Sequence, residues 1–172
     1  VLGHSRHESG HYYFENLVAG TPVLDEFRAL FGDERRDYAA ALERSYNDGP
    51  PADWHSRYIT AYAASHPLED WAETWAHYLH IVDSLDTAIA HGLDAEDLDF
   101  EIEPFTQDDL YDQDDPNADR MLFLINSWVE MITVLKEMAR SLGHSDFDPF
   151  VMPRTVVKKL HFVNLVVRGA KD

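Results

Sequence analysis

Two histidines and a glutamate near the start of the chain have the spacing of a metal-binding helix. His7 and His11 are four residues apart, and Glu8 lies between them. On an α-helix both imidazoles project from one face about a turn apart, so two ring nitrogens can bind one Zn²⁺ ion. Glu8 is rotated by roughly 100° from His7 and can reach a water molecule on that ion. The pattern predicts a hydrolytic zinc site, and the alternative interpretation is a solvated amphipathic helix with incidental histidines.

A catalytic zinc ion needs a third protein ligand, and two known patterns for it are absent from the neighbouring sequence. The metzincin pattern requires glycine and histidine at the positions of Phe14 and Leu17, so that class is excluded. An aspzincin-type Gly-Thr-x-Asp element would require aspartate where Val23 stands. The third ligand must therefore come from a more distant element.

The best source of a third ligand is the segment 67–77. Glu69 and Glu73 are four residues apart, and His77 extends the same helical row. One carboxylate could ligate zinc while the other hydrogen-bonds a ligand histidine, a contact that metal-bound imidazoles usually have. Two histidines and one glutamate leave a coordination position open for water. The alternative interpretation is a solvated acidic edge in which Glu73 and His77 form an ordinary i, i+4 pair.

Composition limits the possible classes of protein. The chain has 172 residues, of which 45% are hydrophobic and 12% aromatic, as expected for one globular domain over 1–172. A net charge of −18 disfavours nucleic acid and anionic membranes as partners. The absence of cysteine excludes disulfides, thiolate metal ligands and cysteine nucleophiles within this sequence.

The beginning of the sequence carries no signal-peptide pattern, and no run of 18 apolar residues could span a membrane. The chain starts with Val1, and the zinc-type motif follows within a few residues. We therefore expect a piece of a longer polypeptide. Because the sequence shows neither a signal peptide nor a membrane span, we expect a cytoplasmic location.

Hydrophobic periodicity of 3.6 predicts an all-α fold. The predicted helices cover about 1–18, 22–31, 34–46, 52–64, 67–90, 117–142 and 153–168. Thr21, Asp33 and Asp115 are the predicted N-caps of three of them. The acidic segment 93–117, with Pro104 and Pro116, predicts a solvated loop that contains a turn or short strand around Phe100.

The His-Glu-x-x-His motif followed by Glu69 and Glu73 resembles that of a gluzincin-type metallopeptidase. The chain is also similar to the catalytic domain of anthrax lethal factor, which has a tyrosine seven residues before its ligand glutamate. Tyr62 stands at that position here. More closely, the sequence resembles a bacterial family of zinc-binding metallopeptidases. The resemblance lies in residues 3–13, 31–35, 49–54, 66–80 and 156–163.

The resemblance implies a zinc cofactor, a peptide or protein substrate and a role for each site residue. His7, His11 and Glu69 would be the metal ligands, and Glu73 would orient one of the ligand histidines. Glu8 would be the general base that takes a proton from zinc-bound water.

The resemblance also assigns an oxyanion donor, for which two tyrosines are candidates. Tyr62 would donate a hydrogen bond to the oxyanion of the tetrahedral intermediate. Tyr58 is the alternative, because both tyrosines fall on the predicted helix 52–64, one turn apart.

The sequence is compatible with two functions. The first is a zinc-dependent peptidase or amide hydrolase with a multi-helix, zincin-like catalytic subdomain. The second is a non-catalytic helical binding module in which the zinc site is structural or vestigial. The resemblance implies that longer members carry an N-terminal cysteine-containing zinc ribbon. Peptidases of this type also use an N-terminal lobe to align the substrate, and this sequence is expected to lack it.

Overall fold

The fold is all-α. A computed structural model describes residues 1–92, 103–144 and 151–169. Within those residues the regular secondary structure is helical and no strand occurs, which confirms the predicted fold class. The six α-helices are α1 (Leu2–Leu17), α2 (Leu24–Phe31), α3 (Tyr38–Asp48), α4 (Pro67–Ala90), α5 (Ala118–Ser141) and α6 (Arg154–Gly169). None of the described helices is long and apolar enough to cross a membrane.

Helix α4 is the centre of the fold, and α1, α2, α5 and α6 all pack against it. Its N-terminal half is almost entirely buried, including Trp71, which is fully inaccessible to solvent. Aromatic rings from three other helices surround the Trp71 indole at centroid distances of 5.7 to 6.3 Å: Phe14, Phe27, Phe31 and Phe162. Burial of these large side chains supplies much of the hydrophobic stabilisation of the domain.

The contact between α1 and α4 is unusually close at Gly10. A Cβ atom at this position would lie 2.8 Å from the Cα atom of Ala72, a separation that real side chains do not show. The carbonyl oxygen of Gly10 also accepts a buried hydrogen bond of 2.8 Å from Nε1 of Trp71. Gly10 therefore lets the two helix backbones touch, which brings the histidine face of α1 over the first turns of α4.

The start of α4 is fixed by His66 and Pro67. Pro67 occupies the first turn, where its missing N–H costs nothing. Nδ1 of His66 accepts a hydrogen bond of 3.1 Å from the Leu68 backbone N–H, and its Nε2 donates to the carbonyl oxygen of Arg36 at 3.1 Å. His66 is buried and serves as the helix cap, so it is not available as a metal ligand.

The predicted helix over 52–64 is wrong. The chain forms two short 3₁₀ turns there, Trp54–Ser56 and Tyr62–Ser65, with an irregular stretch between them. Tertiary contacts hold the intervening backbone: the carbonyl oxygen of Ile59 accepts a hydrogen bond from Val151 at 3.0 Å. The Thr60 hydroxyl accepts a hydrogen bond from the Ala63 backbone N–H at 3.2 Å and so caps the second turn.

The three predicted N-caps are also wrong. The N-cap of α5 is Asn117, and Asp115 instead accepts a hydrogen bond of 3.0 Å from the Asn117 backbone N–H. Helix α3 is capped by Asp37, whose carboxylate accepts a hydrogen bond of 3.0 Å from Ala40, whereas Asp33 binds Arg35 instead. Helix α2 begins at Leu24, and the Thr21 hydroxyl donates backwards to a carbonyl at the end of α1. Helix α3 is thus capped by a later aspartate than predicted, and α2 begins after Val23 with no side-chain cap.

Part of the acidic segment is docked against the domain rather than solvated. Among residues 103–117, Leu110 and Asp115 are buried. Oδ2 of Asp115 accepts hydrogen bonds from Nε2 of His161 at 3.0 Å and from the Arg168 guanidinium at 2.7 Å, both on α6. The turn predicted around Phe100 lies outside the described residues.

We expect Gly10→Ala to lower the free energy of unfolding by roughly 1–3 kcal/mol, because a methyl group would meet the Ala72 backbone and force the helices apart. Urea unfolding followed by circular dichroism measures the change. The matched control is Gly3→Ala on the same helix, where the nearest atom would lie 3.8 Å away. A Gly10→Ala variant as stable as the Gly3→Ala variant would contradict the close approach.

The stability of the fold should depend on the ionisation of Asp115. The Arg168 guanidinium, with His161 and the Asn117 backbone N–H, holds the pKa of this carboxyl well below its usual range although burial opposes the shift. The contribution is complete above the ordinary aspartate pKa of about 3.9 and is lost as the pH falls through the lower, folded-state value.

Asp115→Asn should therefore reduce the free energy of unfolding at pH 7 by roughly 1–3 kcal/mol, the usual cost of losing hydrogen bonds to a charged group. Its deficit relative to the unmodified protein should shrink below about pH 4. Urea unfolding at pH 7 and pH 3 measures both values. Asp114→Asn is the control, because Asp114 is the exposed neighbour. A deficit that does not change with pH would refute the assignment to ionisation.

Candidate metal centre

Three potential metal ligands from two helices converge on one point. His7 and His11 project from α1, and Glu69 projects from the first turn of α4. Nε2 of His7 lies 3.2 Å from Nε2 of His11 and 3.1 Å from Oε2 of Glu69, and Nε2 of His11 lies 3.4 Å from Oε1 of Glu69. Within the part of the chain that the structure describes, these are the only three His, Cys, Asp or Glu side chains grouped tightly enough to hold a metal ion.

The spacing of these atoms fits a zinc ion. Two ligand atoms about 2.0–2.1 Å from a tetrahedral Zn²⁺ lie about 3.4 Å apart, close to the separations between these side chains. Oε2 of Glu69 is buried and accepts no hydrogen bond of normal geometry from the described residues. An unsatisfied carboxylate oxygen in the interior is costly unless a cation binds it. The chemistry of two imidazoles and one carboxylate is also that of a zinc site.

Glu73 orients His7 from outside this group. Its Oε1 accepts a hydrogen bond of 2.7 Å from Nδ1 of His7, which leaves Nε2 directed at the metal position. Its other oxygen, Oε2, accepts a hydrogen bond of 2.8 Å from the Thr60 hydroxyl. The carboxylate is thus held on both sides and fixes the ring orientation of a candidate ligand histidine. Thr60 was not singled out from the sequence, since it lies in a segment predicted as a regular helix.

Tyr38 is a second residue that the sequence did not reveal. Its hydroxyl donates a hydrogen bond of 2.6 Å to Oε1 of Glu69, across 31 positions of the chain. Burial and the neighbouring Glu69 carboxylate raise the pKa of the Tyr38 phenol above its usual range, so the hydroxyl keeps its proton at neutral pH. No local spacing links Tyr38 to the metal ligands, and only the packing of α3 brings it to the site.

The electrostatics of the site favour a positive charge at its centre. Burial raises the pKa of Glu69, but its contacts with His7 and Tyr38 outweigh burial and lower this pKa to about 2. Burial likewise disfavours charge on His7, but Glu69 and Glu73 raise its pKa to about 9. Burial lowers the pKa of His11, which lies one turn further along. Without metal, a proton on His7 sits between two carboxylates, and a metal ion that binds displaces it.

Glu8 and Tyr62 lie at the mouth of the site. They line an open cleft of about 440 Å³ together with the three ligands, Tyr38 and Leu68. The Glu8 side chain is 58% exposed and lies near His4, its neighbour on the preceding turn. The Tyr62 ring lies 5.9 Å from the His7 ring, centroid to centroid. The two residues predicted to be catalytic therefore border the same cleft as the candidate ligands.

Tyr58 is placed away from this cleft. Its ring packs under the ammonium group of Lys159 at 4.6 Å, and its hydroxyl accepts a hydrogen bond of 3.1 Å from Arg57. The predicted helix that would have put Tyr58 and Tyr62 on one face does not form. Of these two tyrosines, Tyr62 is the one that lines the cleft.

The remaining candidates near the motif have structural positions. The Arg6 guanidinium binds His80 at 2.6 Å and also Asp83, so it joins α1 to α4 rather than facing the cleft. Nδ1 of His77 donates to the backbone carbonyl of Glu73 at 2.8 Å. Neither residue points into the candidate metal centre.

Fold and site together define a helical protein with a candidate metal centre of two histidines and one glutamate. Over residues 1–166 the sequence matches the family described as "Putative zinc-binding metallo-peptidase", and the chain belongs to this family. This membership confirms the family resemblance that the sequence motifs indicated.

The chain is also similar to curated mycobacterial proteins. It is 42% identical over 170 residues to an uncharacterized protein of Mycobacterium bovis and to uncharacterized proteins from two strains of Mycobacterium tuberculosis. These alignments cover 97% of this chain but 46% of each relative, so the chain spans about half the length of the curated relatives it matches. No solved structure matches the chain significantly.

We expect stoichiometric zinc in the purified protein and its loss in the His7→Ala and Glu69→Ala variants, because each removes one of three ligands. Elemental analysis after dialysis measures the metal content. Glu73→Gln should keep the ligands but weaken zinc binding by roughly 10–100-fold, the usual effect of losing an orienting contact. His55→Ala is the control, because His55 is exposed and outside the site. Full zinc retention by Glu69→Ala would exclude Glu69 as a ligand.

Proposed function

We propose that the protein is a zinc-dependent metallopeptidase or amide hydrolase. In this proposal His7, His11 and Glu69 hold the ion, Glu8 is the general base, and Tyr62 stabilises the oxyanion. Membership of a zinc-binding metallopeptidase family supports the assignment. The observation that carries it is the geometry of the three ligands beside an open cleft.

The open side of the ligand group favours catalysis over a structural metal site. Structural zinc sites are closed by four protein ligands, whereas catalytic sites have three and keep one position open. The group contains three candidate ligands within residues 1–92, 103–144 and 151–169, and no fourth protein ligand joins them there. The alternative, a non-catalytic module with a structural zinc ion, would require a ligand that the described residues do not provide.

The side chains around the ion would each have a separate role in hydrolysis. When bound, zinc polarises the substrate carbonyl and lowers the pKa of a coordinated water to about 7. Glu8 would accept the proton of the attacking water and later pass it to the leaving amine. The Tyr62 phenol keeps its proton at neutral pH, because burial and the Glu69 carboxylate raise its pKa, so it can donate a hydrogen bond to a developing oxyanion.

The cleft is open rather than enclosed, which would let a segment of a larger chain reach the candidate ligands. It is open to solvent and is bordered by side chains from α1, α3 and α4 and by the turn Tyr62–Ser65. A peptide or protein is therefore the proposed substrate. The curated relatives are about twice as long as this chain, and any contribution of their remaining sequence to substrate binding belongs to the proposal for the whole protein.

Glu8→Gln should abolish peptide hydrolysis by the zinc-loaded protein, with a loss of at least roughly 100-fold, because glutamine cannot accept the proton of water. The assay is cleavage of an internally quenched fluorescent peptide library. The same variant should retain its zinc, since Glu8 is not among the ligands, and elemental analysis checks this point.

The matched control is Glu15→Gln, which removes an exposed glutamate from the same helix. It should keep both zinc and activity. Undiminished cleavage by Glu8→Gln would refute the base assignment. Full zinc loading with no cleavage of any peptide by the unmodified protein would favour the non-catalytic module.

A further inference from the structure

We propose that Tyr38 is a positioning residue for Glu69, which it holds so that a single carboxylate oxygen is presented to the metal. This inference rests on the proposed function, because it requires Glu69 to be a ligand. It adds a residue from a third helix, α3, to a candidate ligand set that comes from α1 and α4.

The two oxygens of Glu69 have different surroundings. Oε1 accepts the hydroxyl hydrogen bond of Tyr38 at 2.6 Å. Oε2 is buried, lies 3.1 Å from Nε2 of His7 and accepts no hydrogen bond of normal geometry from the described residues. The hydrogen bond reduces the electron density available on Oε1, so Oε2 is the better donor to a cation. The arrangement favours ligation through Oε2 alone.

The position of Tyr38 does not depend on Glu69. Asp37 caps α3 directly before Tyr38, and this cap fixes the start of the helix. The Tyr38 ring also packs edge-on against the ring of His66, with centroids 5.0 Å apart and planes at 73°. His66 in turn bonds the carbonyl of Arg36 on one side and the first turn of α4 on the other. The Tyr38 hydroxyl is therefore positioned by contacts that do not involve the Glu69 carboxylate.

His7 is oriented in a similar way, through a hydrogen bond to a carboxylate that a hydroxyl group holds. The Thr60 hydroxyl holds Glu73, and Glu73 holds the imidazole of His7. Each of these two ligands is thus oriented by a hydroxyl group from a segment that supplies no ligand of its own. Such outer contacts usually change metal affinity by roughly 10–100-fold when removed.

Tyr38 also borders the cleft and is 42% exposed, so a direct contact with substrate is the competing role. The two roles make different predictions. A positioning residue changes metal binding in the absence of substrate, whereas an oxyanion donor changes the rate of hydrolysis and leaves metal affinity unaltered.

The test is Tyr38→Phe, which keeps the ring against His66 and removes only the hydroxyl. Zinc affinity is measured by competition with a chromophoric chelator, and the visible spectrum is recorded after Co²⁺ substitution. We expect the dissociation constant for zinc to rise by roughly 10–100-fold. We also expect weaker absorption per bound Co²⁺, because both oxygens of Glu69 become free to coordinate and the coordination number rises.

Tyr46→Phe is the matched control, since Tyr46 lies on the same helix with 76% of its surface exposed. Its zinc affinity and Co²⁺ spectrum should equal those of the unmodified protein. Unchanged affinity and spectrum in Tyr38→Phe would overturn the positioning role while leaving the proposed function intact. Weaker binding with an unaltered spectrum would indicate general loosening of the site and would also overturn it. An unmodified protein that binds no zinc would refute the proposed function itself.

Discussion

The close approach of α1 to α4 at Gly10 is the constraint on which the rest of the structure depends. Because no side chain separates the two backbones there, the histidine face of α1 lies directly over the acidic first turns of α4. Hydrogen bonds from Trp71 to the Gly10 carbonyl and from Trp75 to the Ser9 hydroxyl lock the contact. Ser9 and Gly10 of the motif thus serve packing, while His7, His11 and Glu8 face the site.

Three carboxylates near the start of a buried helix would repel one another, and each has a partner side chain on another helix. Glu69 faces the histidines of α1, and Glu73 bonds His7. Asp70 points the other way and pairs with Lys159 of α6 at 2.6 Å. Burial nevertheless raises the pKa of Asp70 to about 7, even with the ammonium group beside it. The positive end of the α4 dipole adds to the stabilisation of Glu69 and Asp70, which lie in its first turn.

These contacts also orient two of the three candidate ligands. Glu73 accepts a hydrogen bond from His7, and Glu69 accepts one from Tyr38, so less free energy of metal binding would be spent on ordering these side chains. The exposed side of the group differs, since Glu8 and Tyr62 border an open cleft. The candidate ligand set therefore combines a buried glutamate with two partly buried histidines at the edge of an open cleft.

The sequence alone predicted the helical fold and identified the candidate metal-site residues. Hydrophobic periodicity located α4, α5 and α6 to within a few residues, because each of them buries several apolar residues at helical spacing. Helix α1 was located through the spacing of its motif, since only Gly10 and Phe14 are buried on it. The i, i+4 spacing of His7 and His11, and of Glu69 and Glu73, put each pair on one face of a helix. Local geometry is sufficient for such pairs, since one helical turn fixes their separation.

Only the tertiary structure decided which distant residues meet. The segment 52–64 has helical periodicity, but its backbone bonds to Val151 and to its own Thr60 side chain, and it forms two short turns instead. That change separates Tyr58 from Tyr62 and brings Thr60 to Glu73. Tyr38 reaches Glu69 across 31 positions, a contact set by the docking of α3 on the start of α4. Sequence spacing could not reveal these contacts, because they depend on how separate helices pack and not on the period of any one of them.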